Sequence, residues 1–205
     1  MGGIEVYIFG ASGHGKVVYD VAKRAGLMVK GFIDDDEEKQ KLLGLPVKRL
    51  NEIKSPCLVA LGIGNNKVRK TIYQRAKTKG LKVISIIDPT AVLSDFVSIG
   101  EGTVIFANCV VNNSAKVGMG CIINTSAVVE HDCKIGDFSH ISPNAALAGG
   151  VTVGSYTQIG IGASVREGTS VGNNVIVGAG AVVVKNIPDN VVVVGNPAKI
   201  LRINE

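Results

Sequence analysis

Tryptophan is absent from this 205-residue chain and aromatic residues make up only 4% of it, so a core built on large rings is excluded. Nor is there a Lys/Arg-rich run with interleaved aromatics, which argues against a nucleic-acid-binding surface despite the net charge of +5. No apolar stretch reaches the length of a membrane span, and the N-terminus lacks a signal-peptide layout. A cytoplasmic protein without membrane partners is the resulting expectation. Histidine is scarce, at three residues, and cysteine occurs four times. What the chain does have is glycine, 26 residues, and a hydrophobic fraction of 46%, enough for a substantial core with tight corners.

One spacing organises the second half. From Leu93 to Val183 every sixth residue is aliphatic, sixteen in succession without an insertion. Two residues before each of these the side chain is mostly small, as at Ala115, Cys121, Ala127, Cys133 and Ser139. A period of six fits neither a lone helix nor an ordinary strand. It reads as a parallel β-helix with one short strand and one corner per hexad, in which stacked rungs create the core that no single rung can bury. Cys109, Cys121 and Cys133 fall on the small inward position, so packing accounts for them and no disulfide or metal site is expected.

Residues 1–88 follow a different grammar, that of a small Rossmann-like α/β domain with a parallel sheet; residues 89–205 form the β-helix and a C-terminal tail. Ile4–Phe9 reads as a strand and Gly10-Ala11-Ser12-Gly13-His14-Gly15 as a loop. A helix with Val17, Val18, Val21, Ala22 and Ala25 at helical spacing stops near Gly26. Val29–Ile33 and Leu58–Ile63 read as further strands, Asn66–Lys79 as a helix and Val83–Ile87 as a fourth strand, with Asp88-Pro89 marking the boundary. After Val183 the pattern lapses, and Gly195-Asn196-Pro197-Ala198-Lys199 reads as a turn.

With three hexads per coil, residues 18 apart stack, and the aliphatic positions fall on three faces. The second face is polar outside, with Ser98, Lys116, Lys134, Thr152 and Ser170. The first (Val110, Val128, Ala146, Val182, Val184) and third (Val104, Phe106, Ile122, Ile176) are apolar outside as well as inside, which marks them as contact surfaces. A face that meets a different face closes most simply as a three-fold ring, so the chain is expected to be a homotrimer. His131 lies at the corner between faces one and two, and His140 projects from face three. Paired across a subunit boundary, they would flank one cleft.

His131 is bracketed by Glu130 and Asp132. An imidazole beside a carboxylate suits proton removal from a nucleophile, although an exposed corner histidine is the plain alternative. The loop Gly10-x-x-Gly13-x-Gly15 between strand and helix suits phosphate. Its spacing departs from Gly-x-Gly-x-x-Gly, which disfavours a dinucleotide-dependent oxidoreductase. Asp34 and Asp35, after the second strand, suit a ribose or base; a solvated acidic loop is the alternative. Asn112, Asn113 and Asn124 occupy corners, where asparagine tolerates left-handed backbone.

The hexad run, Asn124-Thr125, Val128-Val129-Glu130-His131-Asp132-Cys133, Ile135-Gly136-Asp137-Phe138, His140-Ile141 and Gly195-Asn196-Pro197-Ala198 together resemble the left-handed β-helix acetyltransferases. The Gly-Ala-Ser-Gly-His-Gly opening resembles their sialic acid O-acetyltransferase-like and nucleotide-amino-sugar N-acetyltransferase branch. The resemblance covers essentially the whole chain and supplies the left-handedness, which the period does not. It implies an enzyme that transfers acetyl from acetyl-CoA to a nucleotide-linked amino sugar by direct attack, with the nucleotide on the N-terminal domain. It casts His131 as the general base and Asp132 as its orienting carboxylate. His140, Gly149, Ile161 and Ala179 would contact acetyl-CoA, Ala179 standing where relatives have glycine. Ser12, Gly13, His14, Gly15, Asp34 and Asp35 match the nucleotide-sugar loops, and Asn124 and Glu130 the amino-sugar contacts. A sugar hydroxyl as acceptor is the nearest alternative, and a non-catalytic scaffold the next.

Overall fold

A computed structural model describes residues 4–204. The first unit is a six-stranded sheet with a helix on either face. Its elements are β1 (Glu5–Phe9), α1 (Gly13–Arg24), β2 (Met28–Ile33), β3 (Lys41–Leu42), β4 (Leu45–Lys48), β5 (Leu58–Leu61), α2 (Asn66–Thr78) and β6 (Lys82–Val83), and its strand order is β3-β4-β2-β1-β5-β6. All pairings are parallel except the β3–β4 hairpin, which the sequence pattern did not signal. Side chains alternate across the sheet. Val6, Ile8 and Phe32 pack with Val18, Val21 and Ala22 of α1, while Phe9, Ile33 and Leu61 pack with Ile72 and Ala76 of α2. Gly26, at φ 77°, ends α1 in a left-handed turn that lets Leu27 N–H reach the Ala22 carbonyl.

The single strand expected over Val83–Ile87 is two strands. Lys82–Val83 closes the first sheet, whereas Ile86–Ile87 pairs with Val104–Ile105 and opens the β-helix, ahead of Asp88-Pro89. The intervening Ser85 carries the chain across, its hydroxyl bonded to the Gly100 carbonyl and the Thr103 N–H.

Beyond this point two-residue strands recur every six residues and pair in register with those 18 residues away, as in Val110 with Val128 and Lys116 with Lys134. Three parallel sheets result. The sixth-residue aliphatics from Ile105 to Val183 are all buried; only Leu93 and Ile99, in the first coil, are partly open. Small inward residues also satisfy corner carbonyls. Thr103, Cys121, Ser139 and Thr157 each donate to the carbonyl 15 residues on, and the Thr and Ser oxygens accept the N–H 18 residues on. This explains why the position is so often Thr, Ser or Cys: each is small enough to fit and carries a donor.

Left-handed backbone does not fall on Asn112, Asn113 or Asn124. It falls on the third residue after each aliphatic from Gly102 to Gly180, including Asn108, Ser114, Asp132 and Phe138. There the chain turns into the next small inward residue.

The second face is exposed and polar, as expected. The third is closed in its first coils, while Ile176 further along stays half-buried. Val104, Phe106 and Ile122 are each at most 1% exposed, and they join the same apolar cluster as α1 of their own chain. They therefore offer nothing to a neighbouring subunit. Face one keeps half-buried Val110, Val128, Ala146 and Val182 on its outside. In the tail, Val191–Val194 extends the third sheet and Lys199–Ile203 pairs antiparallel to it, so the turn around Gly195 joins two strands that the sequence did not disclose.

Candidate active site

His131 and Asp132 occupy the corner after the Val128–Val129 strand, and both are about two-thirds exposed. The φ of 60° at Asp132 turns its carboxylate back, and Oδ2 accepts the His131 Nδ1–H at 2.8 Å. That bond fixes the tautomer and leaves Nε2 with a free lone pair. One coil further, Gly149 leaves room for the ring: a Cβ there would lie 2.5 Å from His131 Nε2. Glu130 is held by its own partner, Asn112, whose amide donates to Oε2 at 2.8 Å.

A second group lies where face three meets the first domain. Asn124 Oδ1 accepts the Thr125 N–H, so its amide nitrogen donates to His140 Nε2 at 2.9 Å. The proton of the neutral His140 imidazole then resides on Nδ1. His14, at the start of α1, has its ring 6.3 Å from that of His140 and 5.5 Å from Phe106. Among the described residues, its Nε2 and the Ser142 hydroxyl are buried and meet no hydrogen-bond partner. Burial, with the charge of Arg69, lowers the His14 pKa to about 4 and, with the added influence of His14, that of His140 to about 3. Both imidazoles are neutral near pH 7 and serve as hydrogen-bonding groups, not cations.

The third group lies at the carboxyl ends of β1, β2 and β5, where the strand order reverses and open α/β sheets receive ligands. Phe9, Gly10, Ile33, Asp34, Asp35 and Ile63 help line a cavity of about 180 Å³ there. Although burial alone would raise the Asp34 pKa, the N–H groups of Ala11 and Asp36 and the Lys39 ammonium hold it low. Asp34 thereby ties the loop before α1 to the end of β2. Asp35 takes a two-pronged contact from Arg75 at 2.6 and 2.9 Å, which lowers its pKa. Gly15 sits so close to the Gly10 carbonyl that no side chain fits.

Residues 5–76 match the family model described as the PglD N-terminal domain, and residues 150–185 match the bacterial transferase hexapeptide model of six repeats. The acetyltransferase domain of PglB from Neisseria gonorrhoeae FA1090 is 39% identical, with 96% of this chain and 99% of that chain covered and a TM-score of 0.90. The chain belongs to the left-handed β-helix acetyltransferase family. PerB from Caulobacter crescentus, solved with CoA and GDP-perosamine, is also 39% identical, covering 98% of this chain and 97% of that one at a TM-score of 0.90. UDP-N-acetylbacillosamine N-acetyltransferase of Bacillus subtilis (strain 168) is 39% identical over 110 residues, 50% of this chain and 51% of that protein. The matched segment thus spans about half the length of this curated relative.

In this family member the expected site residues fall into separate groups. His131, Asp132 and Gly149 share one corner; Asn124, His140 and His14 share the domain junction; Ser12, Gly13, Gly15, Asp34 and Asp35 surround the sheet end. Ile161, 58% exposed, and Ala179 stack on the corner between faces three and one. Among the described residues no hydrogen bond or ring contact joins His131 to His140. Two residues escaped sequence reasoning: Asn112, read as a structural corner, anchors Glu130, and Arg69, inside a basic helix, is buried. Nothing in the local pattern separates Arg69 from its half-buried neighbour Lys70.

Proposed function

We propose that the protein is an acetyl-CoA-dependent N-acetyltransferase acting on a nucleotide-linked amino sugar, with His131 as general base. The observation that carries this reading is the His131–Asp132 bond, which engages Nδ1 and leaves Nε2 beside the space left by Gly149. That nitrogen can accept the proton which the sugar amine sheds as it attacks the thioester carbonyl carbon. A C–N bond forms, the C–S bond breaks, and the CoA sulfur leaves as the thiolate, which takes up a proton. Asp132 stabilises the resulting imidazolium. The carbonyl oxygen needs a hydrogen-bond donor as charge builds on it; a backbone N–H near Gly149 is the candidate.

The residues suit these ligands. Exposed Ile161 offers an apolar surface to the pantetheine arm, while the sheet-end cavity with Asp34 and Asp35 suits a nucleotide. The unpartnered His14 Nε2 suits a polar group of the sugar. The relatives support the same chemistry: the PglB domain has been solved with acetyl coenzyme A, and PerB with CoA and GDP-perosamine. The open His131 corner and the half-apolar outside of face one support a homotrimer in which a neighbouring copy covers this corner. The neighbour's matching surface excludes Val104, Phe106 and Ile122, which this chain's own fold already buries. Among the described residues no helix is long and apolar enough to cross a membrane; a cytoplasmic site of action is part of this reading, because acetyl-CoA is available there.

A thermal-shift screen against UDP-, GDP- and CMP-linked amino sugars and sialic acids, with acetyl-CoA present, identifies the acceptor, since native-state binding raises the melting temperature. Mass spectrometry of the product should show one added acetyl group, stable to mild base as an amide. A base-labile ester would move the assignment to a hydroxyl acceptor, and no acetyl-CoA binding would leave a scaffold.

A further inference from the structure

The largest of the fully buried side chains is a cation. Arg69 of α2 is 1% exposed, and its donors are all taken by oxygens. Nε donates to the Gly120 carbonyl at 2.6 Å, and Nη1 to those of Gly64 at 2.9 Å and Ile63 at 3.1 Å. Nη2 donates to Asn66 Oδ1 at 2.8 Å and to the carbonyls of Phe138 at 2.9 Å and Ser139 at 3.3 Å. Among the described residues no carboxylate pairs with it. A buried charge without a counter-ion is costly, and hydrophobic replacements commonly pack as well or better. Filling space is therefore a poor reason for an arginine here.

The identity of its acceptors suggests a better one. Ile63 and Gly64 follow β5, and Ile63 lines the nucleotide cavity. Phe138 and Ser139 directly precede His140, and Gly120 lies on the adjacent coil. We propose that Arg69 is a positioning residue for acetyl transfer, fixing the backbone that presents His140 against the loop that borders the nucleotide cavity. This rests on the acetyl-transfer reading above. A planar fork with five N–H donors bridges two backbone segments at fixed spacing, which an ammonium does not reproduce.

The same group has an electrostatic effect. The titratable groups facing His140 are His14 from α1 and Arg69 from α2, with the uncharged Asn124 beside it on the solenoid. The guanidinium opposes protonation of both rings. If its charge is removed or neutralised, His140 takes a proton at Nε2 more readily, and a protonated Nε2 no longer accepts from Asn124.

Three full-length variants test this. Arg69→Lys keeps the charge and loses the fork, Arg69→Met loses both, and Asn66→Asp leaves the arginine in place but sets a carboxylate beside Nη2. The readouts are imidazole NMR titration of His140 and His14, and kcat and KM for both substrates from pH 5 to 8. Arg69→Lys should lower kcat/KM for acetyl-CoA by about tenfold or more at every pH, the scale of a small misplacement. Arg69→Met and Asn66→Asp should move the His140 titration upward by about one pH unit or more and add an acidic limb to the acetyl-CoA profile. If Arg69→Met does not fold, Asn66→Asp decides the electrostatic part and Arg69→Lys the geometric part. Normal kinetics in Arg69→Lys together with an unmoved His140 in Asn66→Asp would overturn the proposal. The NMR readout needs no turnover, so absence of acetyl transfer by the native chain would count against the proposed function alone.

Discussion

The carboxylate of Asp132 reaches back to the imidazole nitrogen of its own predecessor, His131, because its backbone is left-handed, with φ 60° and Oδ2 2.8 Å from Nδ1. Sequence neighbours in a strand point to opposite sides and could not make this pair. The corner of the hexad supplies the turn that makes it. The proposed base and its orienting group are therefore built from a structural position that every coil repeats.

His131→Ala should lower kcat by about 10²–10⁴-fold, the usual contribution of general-base catalysis. The side chain is 64% exposed, so the melting temperature should change little. Steady-state kinetics beside thermal denaturation check this; a loss smaller than tenfold would remove His131 as the base.

Gly149→Ala tests the space in front of that base. An added Cβ would lie 2.5 Å from His131 Nε2 and 2.6 Å from Cε1, while Gly149 is not among the glycines with positive φ. The ring should be displaced and the rung left intact. Turnover should fall about as far as in His131→Ala, with normal thermal stability; an active Gly149→Ala would show that the ring does not work where it now lies.

Acid should destabilise the fold through His14 and His140. Both are depressed from 6.5, to about 4 and about 3, so below pH 6.5 the unfolded chain binds protons that the folded chain refuses. Stability thus rises with pH across this window and is lost on acidification, by about 1.4 kcal/mol per pH unit for each imidazole. Urea midpoints at pH 7, 6, 5 and 4 should fall progressively. A double variant, His14→Gln with His140→Gln, should flatten that slope.

Thr157→Val removes a hydroxyl that donates to the Gly172 carbonyl at 2.6 Å and accepts from Val175 N–H at 3.0 Å. The shape is nearly kept and two buried backbone groups lose a partner. The expected cost is about 1–3 kcal/mol by urea unfolding. Thr157→Ser should restore most of it, whereas an unchanged midpoint in Thr157→Val would make the hydroxyl ladder incidental.

The stacked coils were legible because a rigid period is written into side-chain size. Each aliphatic from Ile105 to Val183 must face inward whatever lies outside, and the small residue two places earlier must let the corner close. What covers an apolar exterior is not written there. Val104 and Ile122 look the same whether their own chain or a second subunit is to lie on them, and only the fold shows that their own chain buries them. Left-handed residues were misplaced for a related reason: asparagine tolerates that conformation, but the register assigns it, even to Phe138. Arg69 was hidden because its burial depends on carbonyls 51 to 70 residues away. The candidate corner was legible as a cluster of polar residues at 130–132, but the contacts of Asn112 and Gly149 come from coils 18 residues distant.

A single apolar cluster runs from Val6 and Val18 in the first unit to Ile122 and Val183 in the coils without a seam. Parting the two halves would expose that shared apolar surface to water, so the fold favours a fixed reach between the sheet end and the stacked rungs. Under the proposed function, selection among acceptors would work as a ruler does: a molecule whose two ends are the wrong distance apart would meet one station and miss the other.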